Sequence, residues 1–509
     1  MFCRRGCPFA AACILAAGIL VAGCSLVPVP LSSDAISSQA TADRKAVIQD
    51  QELLTGPMSL YEAIARALKY NLDLRLELTQ RTLSNAQLDV SRYELLPQAI
   101  AGTGFNSRDK FSGSSSRSLI TGIQSLESST SSDRDILSAD LNLSWSVLDF
   151  GLSYVRAQQA ADRVLQAEEE RRKVINRIVQ DVSTAYWRAV SNERLNASME
   201  ALLERVNKAL QQSQEVESRK LESPLTALTY QRELIGIKRE LQELQRELAF
   251  AKVQLAALTN LPPGQDFEIE IPDRKMDAKS IDISPELLEQ LALENRPELR
   301  DVVYEQRINK KEATAALLSL LPGIDLNFGK SYSSNSFLFN KNWLAYGAQV
   351  SWNLFNVFKL PSTQRTIRAK EEVLTAKRLA LSMAILTQVY VSLAQDAHAK
   401  QELQTASEYF ETQKKILAQV RSGVEVNSIS EQSLIREEMN MLVADVKFDV
   451  ARADLENAYA SLFAAIGVDP IPGAVIKGDL PELTSEIKRD FEHMSLRDQL
   501  YSLKINGLP

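Results

Sequence analysis

Histidine and cysteine are nearly missing from this sequence. Histidine stands only at 398 and 493, and the four cysteines, Cys3, Cys7, Cys13 and Cys24, all fall in the first 24 of 509 residues. Soft metal centres are built from several such side chains, so no metal site is expected, and His398 and His493 read as helix-surface residues. Downstream of Cys24 no disulfide can form. Also absent are a phosphate-binding glycine loop, a Ser/His/Asp arrangement and a carboxylate pair that stands apart as an acid/base dyad. Asp149-Phe150-Gly151 matches a kinase tripeptide, but the glycine-rich loop, strand lysine and His-Arg-Asp loop of kinase chemistry are missing. It reads instead as a strand-to-helix turn in which Gly151 supplies the tight backbone. No catalytic residue and no cofactor is expected. The formal net charge is −7 with no concentrated basic face, which argues against a nucleic-acid partner. Beyond residue 30 no run approaches ~20 apolar residues, so no internal helix spans a bilayer. A membrane crossing would have to be made of strands.

The beginning of the chain has the make-up of a secretory signal. Arg4 and Arg5 precede an apolar stretch over residues 9–22, too short to span a bilayer. It ends in Val21-Ala22-Gly23-Cys24, which resembles a bacterial lipobox. That resemblance implies cleavage after residue 23 and lipidation (palmitate) of Cys24, which would cap the one thiol left in the mature chain. The alternative is a signal that merely contains a cysteine and is cut elsewhere. Ser25, by the same resemblance, implies the outer membrane. Residues 24–58 read as a lipid-anchored, extended leader with little intrinsic structure.

What the chain has in quantity is helix. Over residues 152–220 there is neither proline nor glycine, and Ile175, Ile178, Val182, Ala185, Ala189, Met199, Leu202, Val206 and Leu210 recur three and four apart. This is a coiled-coil seam, and one unbroken helix of that length measures ~100 Å. Residues 361–420 read the same way, through Ile367, Leu374, Leu381, Ile385 and Val389. The charge run Glu168-Glu169-Glu170-Arg171-Arg172-Lys173 reads as a solvated face paired at i,i+4. Ahead of the first rod, Leu137, Ala139, Leu141, Leu143, Trp145 and Val147 alternate with polar residues, the period of a strand with one apolar and one wet face. Another strand is expected from Gln98 to about Lys110, across a Ser/Gly-rich loop.

The layout occurs twice. Ser59-Leu60-Tyr61-Glu62 is a capping box, and Ser284-Pro285-Glu286 opens a helix 225 positions on. Leu95-Leu96-Pro97 matches Leu320-Leu321-Pro322 at that offset, while Ser144-Trp145 matches Ser351-Trp352 at 207 and Ala256-Ala257 matches Ala464-Ala465 at 208. The first repeat's extra residues fall in the Ser-rich loop of its hairpin, where length change is tolerated. The expected organisation is a signal peptide (1–23), the leader (24–58), a first repeat (59–264), an equatorial linker (265–283), a second repeat (284–473) and a C-terminal equatorial tail (474–509). Each repeat reads helix, helix, strand, strand, long helix, return helix.

Four strands per chain cannot close a barrel, and open edges are not tolerated in hydrocarbon. Three chains supply twelve strands and six rods. The expected fold is thus mainly α with a β-barrel segment: a homotrimeric twelve-stranded β-barrel set on a twelve-helix α-barrel tunnel. The layout resembles the TolC-type outer-membrane efflux proteins over nearly the whole mature chain. The resemblance rests on Ser59-Leu60-x-Glu62-Ala63-Ile64-x-x-Ala67-Leu68, Leu96-Pro97, Trp145-x-x-Leu148-Asp149-Phe150-Gly151 and Arg421-Ser422-Gly423-Val424 in that order. There are two departures: Asn356-Val357-Phe358 replaces the Asp-Phe-Gly end in the second repeat, and Lys220 stands where a tip glycine is usual in the first. The resemblance implies an outer-membrane duct, with its tunnel projecting into the periplasm, that exports small molecules with a periplasmic adaptor and an inner-membrane transporter.

Two sets of site residues follow. Trp145, Trp343 and Trp352 fall in or beside the strands and are candidates for an aromatic belt at the membrane interface; plain hairpin packing is the other reading. Arg421, Glu425 and Glu431 flank the second helix tip and are candidates for a periplasmic gate, against a reading as ordinary solvated charges. The cargo stays open between small molecules, secreted protein and polysaccharide. A passive porin and a non-conducting envelope-spanning lipoprotein are the rivals, and the long rods argue against the porin.

Overall fold

The structure is a computed structural model and describes residues 30–49, 51–125, 127–219, 223–262, 264–272, 284–426, 428–468 and 478–493. In chain order the elements are α1 (Ser33–Val47), α2 (Leu60–Tyr70), α3 (Leu72–Tyr93), β1 (Gln98–Ser107), β2 (Gly113–Ser114), β3 (Ser129–Thr130), β4 (Asp135–Ser146), α4 (Val147–Ser218), α5 (Pro224–Leu258), α6 (Pro285–Asn295), α7 (Pro297–Leu318), β5 (Gly323–Ser333), β6 (Asn342–Ser351), α8 (Asn356–Glu425), α9 (Glu431–Ile466) and α10 (Leu480–His493). The duplicated order of helices and strands is thereby present. The chain divides into two units, Met1–Glu52 and Leu53–Pro509.

In the first unit the expectation of an extended leader is corrected. Residues 33–47 are helical, with the Ser32 hydroxyl accepting from Ala35 N at 3.2 Å, Asp34 in the first turn and Arg44 and Lys45 in the last. A cap and charges matched to the helix dipole suffice here. The helix buries none of its residues.

In the second unit the two rods are single helices of 72 and 70 residues, each about 105–110 Å long. Both begin earlier than the sequence suggests. α4 starts at Val147, where the Ser146 hydroxyl caps Asp149 N at 3.3 Å, so Asp149-Phe150-Gly151 is its first turn rather than a turn before it. Gly151 does not have positive φ; a side chain there would simply touch Leu318 at 3.9 Å. α8 starts at Asn356 and carries Pro361 inside it.

The helices form a row. α4 packs against α3 and α5 on one side and α7 and α9 on the other, and α8 packs against α7 and α9. The shorter helices stack end to end to match the rods. Asn71 caps α3, its Oδ1 accepting from Asp73 N and Leu74 N, and its Nδ2 donates to the last turn of α5 at Leu258 O, 3.3 Å away. In the second repeat Arg296 does the corresponding work, donating to Ala464 O at 2.7 Å from the head of α7 to the end of α9. The charge run on α4 pairs at i,i+3 rather than i,i+4, Arg171 with Glu168 and Arg172 with Glu169. It also reaches neighbours, Arg81 of α3 to Glu168 at 3.0 Å and Arg300 of α7 to Glu169 at 3.8 Å.

Near the middle of α4 a compact core gathers: Met58, Ile64 and Leu68 from the start of the repeat, Val182 and Ala189 from the rod, Leu255 from α5, Phe267 and Ile269 from the segment after α5, and Leu480, Leu483 and Ile487 from α10. Each large aliphatic side chain so buried contributes ~1.5–3 kcal/mol. Met58 pairs in parallel with Ile269, Tyr186 OH donates to Glu270 O at 2.9 Å, and Lys69 donates to Gly478 O at 2.9 Å. The described parts of the linker and the tail thus pack around the waist of the rod.

The sheet has the order β1-β4-β5-β6 and is antiparallel throughout. Among the described residues β1 and β6 each have one side unpaired.

Candidate functional site

The strand register divides the sheet into two faces. Asp140, Asn142 and Ser144 stand opposite Ser331, Gly329 and Asn327, and Leu141, Leu143 and Trp145 stand opposite Lys330, Phe328 and Leu326. Directly opposed residues share a face, so one face is polar and the other apolar. The apolar face is the more open: Leu137, Leu141, Leu143 and Trp145 are exposed, whereas Ser138, Asn142, Ser144 and Ser146 are partly sheltered. The polar face is also crowded. A side chain added at Gly104 would meet Ser138 Oγ at 3.1 Å, and one at Gly329 would meet Asn142 Oδ1 at 3.3 Å. On the two central strands the polar face is thus the sheltered, inner one and the apolar face the outward one. Lys330 is the one charge of β5 on the outward face.

The three tryptophans do not act as one group. Trp145 points outward with Leu326 and packs edge-on against Phe150, centroids 5.7 Å apart. Trp352 lies just past β6, its Nε1 donating to Leu320 O at 2.9 Å. Trp343 stands opposite Ser331, on the polar face, and so is not part of an outward belt. The outward aromatics at the hairpin end are Phe105, opposite Leu137, and Tyr332, opposite Ala139. From Asn342 to Trp352 the chain spans about 33 Å of strand, or about 25 Å upright when tilted ~40°, the height of a barrel's apolar band. Beyond the strands the two hairpin loops are tied together: Ser336 Oγ donates to Asp133 at 2.8 Å and Asn335 donates to Ser131 O at 3.1 Å. Hydrogen bonds from the Ser336 backbone and hydroxyl hold the Asp133 carboxyl below its ordinary range.

Below the sheet Asp162 of α4 is the centre of a charge cluster. Its side chain is 2% exposed. Arg307 Nε donates to it at 2.8 Å and Lys311 Nζ at 2.7 Å, both from α7. Burial alone would push this carboxyl up, but the two hydrogen-bonded cations hold it below the usual range.

At the far end of the rods the polypeptide reverses just past α8, where the carbonyl of Gly423, in the helix's last turn, accepts from Ser428 N at 2.9 Å and from Ile429 N at 3.2 Å. A side chain on Gly423 would run into Ile429, which explains the glycine of Arg421-Ser422-Gly423-Val424 by close approach. Of the three gate candidates, Arg421 is paired, to Glu438 Oε1 at 3.4 Å. Glu438 also takes Arg205 from the first rod, and Arg436 pairs with Glu233 of α5 at 2.7 Å. Glu431 faces Tyr230 instead; burial, then the Glu431 and Glu233 carboxylates, push that hydroxyl's pKa up. Among the described residues Glu425 makes no ion pair. A groove of about 400 Å³ opens beside them, lined by Arg205, Lys208, Gln212, Tyr230, Glu431 and Ile435. Arg205, Glu233, Arg436 and Glu438 were not among the expected residues, because their pairings join different helices and leave no local spacing.

Residues 288–468 match the family model of outer membrane efflux proteins. No curated protein matches the chain. Among solved structures the chain is similar to the outer-membrane channel OprN, with 15% identity and a TM-score of 0.62 over 80% of this chain and 89% of that one. It is similar to the Campylobacter jejuni CmeC outer membrane channel, with 16% identity and 0.61 over 86% and 90%. The open state of the Neisseria gonorrhoeae MtrE outer membrane channel gives 16% and 0.60 over 82% and 96%.

Residues 288–468 thus match the outer membrane efflux protein family, and the chain shares its fold with these channels.

His398 is exposed on α8, and among the described residues no group of three or more His, Cys, Asp or Glu is placed to hold a metal ion. Cys24 and Lys220, and the side chain of His493, lie outside the described residues. No described helix is long and apolar enough to cross a membrane.

Proposed function

We propose that the protein is a lipid-anchored outer-membrane duct that works as a homotrimer, exporting small molecules in a tripartite system with a periplasmic adaptor and an inner-membrane transporter. One observation carries the reading: the open sides of the sheet and of the helix row coincide. β1 leads out of α3 and β6 leads into α8, so the unpaired strand edges lie over the two ends of the row. The two edges run in opposite directions, so β6 of one copy meets β1 of the next as an antiparallel pair. Exposed apolar side chains line both ends, Leu76, Leu83 and Val90 on α3 and Leu379, Met383 and Tyr390 on α8. A ring of two copies would have eight strands, whose own side chains fill the interior. Three copies make the smallest ring that leaves a passage.

The tunnel enters the periplasm, and Cys24 carries lipid in the outer membrane. The groove beside Tyr230 and Glu431 offers the adaptor its docking place, and Arg421, Glu425 and Glu431, with Glu438 and Arg205, make up the gate region. Such exposed pairs are worth only ~0–1 kcal/mol each, so partner contacts can part them. The energy for export comes from the inner-membrane transporter.

Size determination in mild detergent and single-channel recording in planar bilayers test this. The expected result is a trimer with discrete conductance. A monomer, or a trimer without conductance, overturns the duct.

A further inference from the structure

Most of the polar face is small and neutral, glycine, serine, alanine and asparagine, with a second carboxylate, Asp325, at the other end opposite Ser146. Two side chains stand out on one rung. Gly102 is opposite Asp140, Asp140 is opposite Ser331, and Ser331 is opposite Trp343, so a single line across all four strands places a carboxylate and an indole on the polar face, both exposed. They are two strands apart, about 9.6 Å between backbones. The floor between them is low: Ser331, with Gly329 below it and Ser333 above it on β5. On the other side of Asp140, Gly102 makes the space for the carboxylate, since a Cβ there would lie 2.8 Å from Asp140 Oδ1. Among the described residues no Lys or Arg of the four strands shares this face, because Lys330 is on the outward one. No hydrogen bond reaches the Asp140 carboxylate and no ring packs on Trp343 among the described residues. An unneutralised anion and a free aromatic face, separated by a shallow floor, are the two halves of a site for an organic cation.

We propose that Asp140 and Trp343 form a contact site on the channel wall for cationic cargo bearing an aromatic or quaternary group. The site rests on the trimeric duct proposed above, in which three carboxylates and three indoles alternate around the passage with glycine and serine between them. A cation passing through exchanges part of its hydration for the carboxylate and the indole face, and the low floor admits its bulk. The groups are exposed and few, so the contact is weak and reversible, as transport requires. Anionic aromatic molecules gain nothing from this wall and are repelled by Asp140.

The test uses the full-length trimer and two dyes, propidium as an aromatic quaternary cation and pyranine as an aromatic polyanion. Propidium is expected to bind the detergent-solubilised protein, read by fluorescence anisotropy, and to reduce its single-channel current; pyranine does neither. Asp140→Asn and Trp343→Ala each weaken propidium binding roughly threefold to thirtyfold, and Trp343→Phe weakens it less than Trp343→Ala. Equal response to the two dyes, or propidium binding unchanged in both Asp140→Asn and Trp343→Ala channels that still conduct, overturns the site while leaving the duct. A wild-type protein that does not conduct overturns the duct and the site with it.

Discussion

Asn71 hands the end of α5 to the start of α3: its Nδ2 holds Leu258 O at 3.3 Å while its Oδ1 caps Asp73 and Leu74. Arg296, 225 residues later, joins α9 to α7 by a longer reach. Asn71→Ala is expected to destabilise by ~1–2 kcal/mol through loss of the cap, read as a lower melting temperature of the detergent-solubilised protein. Gly467→Ala at the second junction costs more. Gly467 has φ of +68°, and a Cβ would lie 2.8 Å from the Arg296 backbone, which cannot give way as a side chain can.

The Asp162 cluster predicts a pH dependence. Its carboxyl is held below the ordinary range, so it binds its proton less readily folded than unfolded. Its contribution to stability is complete above about pH 4, the ordinary unfolded value, and is lost as pH falls through the lower folded one. Asp162→Asn leaves Arg307 and Lys311 facing a neutral amide. The expected loss is ~1–3 kcal/mol at neutral pH, below the full cost of an orphaned buried charge because Arg307 reaches solvent. Melting curves between pH 7 and pH 3 check both parts: the variant's deficit should shrink as the pH falls.

At the helix tip the crowding between Gly423 and Ile429 gives a paired test. Gly423→Ala places a methyl against the Ile429 side chain and is expected to loosen the turn, raising protease cleavage there. Adding Ile429→Ala makes room and restores protection. If the double variant is cleaved as fast as Gly423→Ala alone, the glycine serves something other than this close approach.

Glu438 accepts from both rods, through Arg205 and Arg421. Glu438→Ala is therefore expected to raise the conductance of the resting channel more than Glu425→Ala or Glu431→Ala. Arg421→Ala should fall between, since it removes one of the two pairs. Planar-bilayer recordings order the four, and a Glu438→Ala channel as closed as wild type removes this pair from the gate.

How much of this was legible depended on whether a signal was local. The rods were, because Ile175 to Leu210 repeat on one face, and the two faces of β4 were, because Leu137 to Trp145 alternate without a miss. The face of Trp343 was not. Trp343, Leu344, Ala345 and Tyr346 run together without alternation, so only the pairing of β6 with β5 assigns it. The rod's start was misplaced because Gly151 looked like a stop while Ser146 was already the cap. Arg421 was found from the tip, but its partner Glu438 sits on the returning helix, where neither spacing nor composition marks it.

The unpaired margins of β1 and β6 carry one more consequence. Until neighbours arrive, a lone chain holds two rows of unsatisfied amides and carbonyls, and lipid cannot solvate them. Bilayer insertion and subunit association should then be inseparable in time, with a refolding rate that climbs steeply with protein concentration and an isolated chain that aggregates rather than waits.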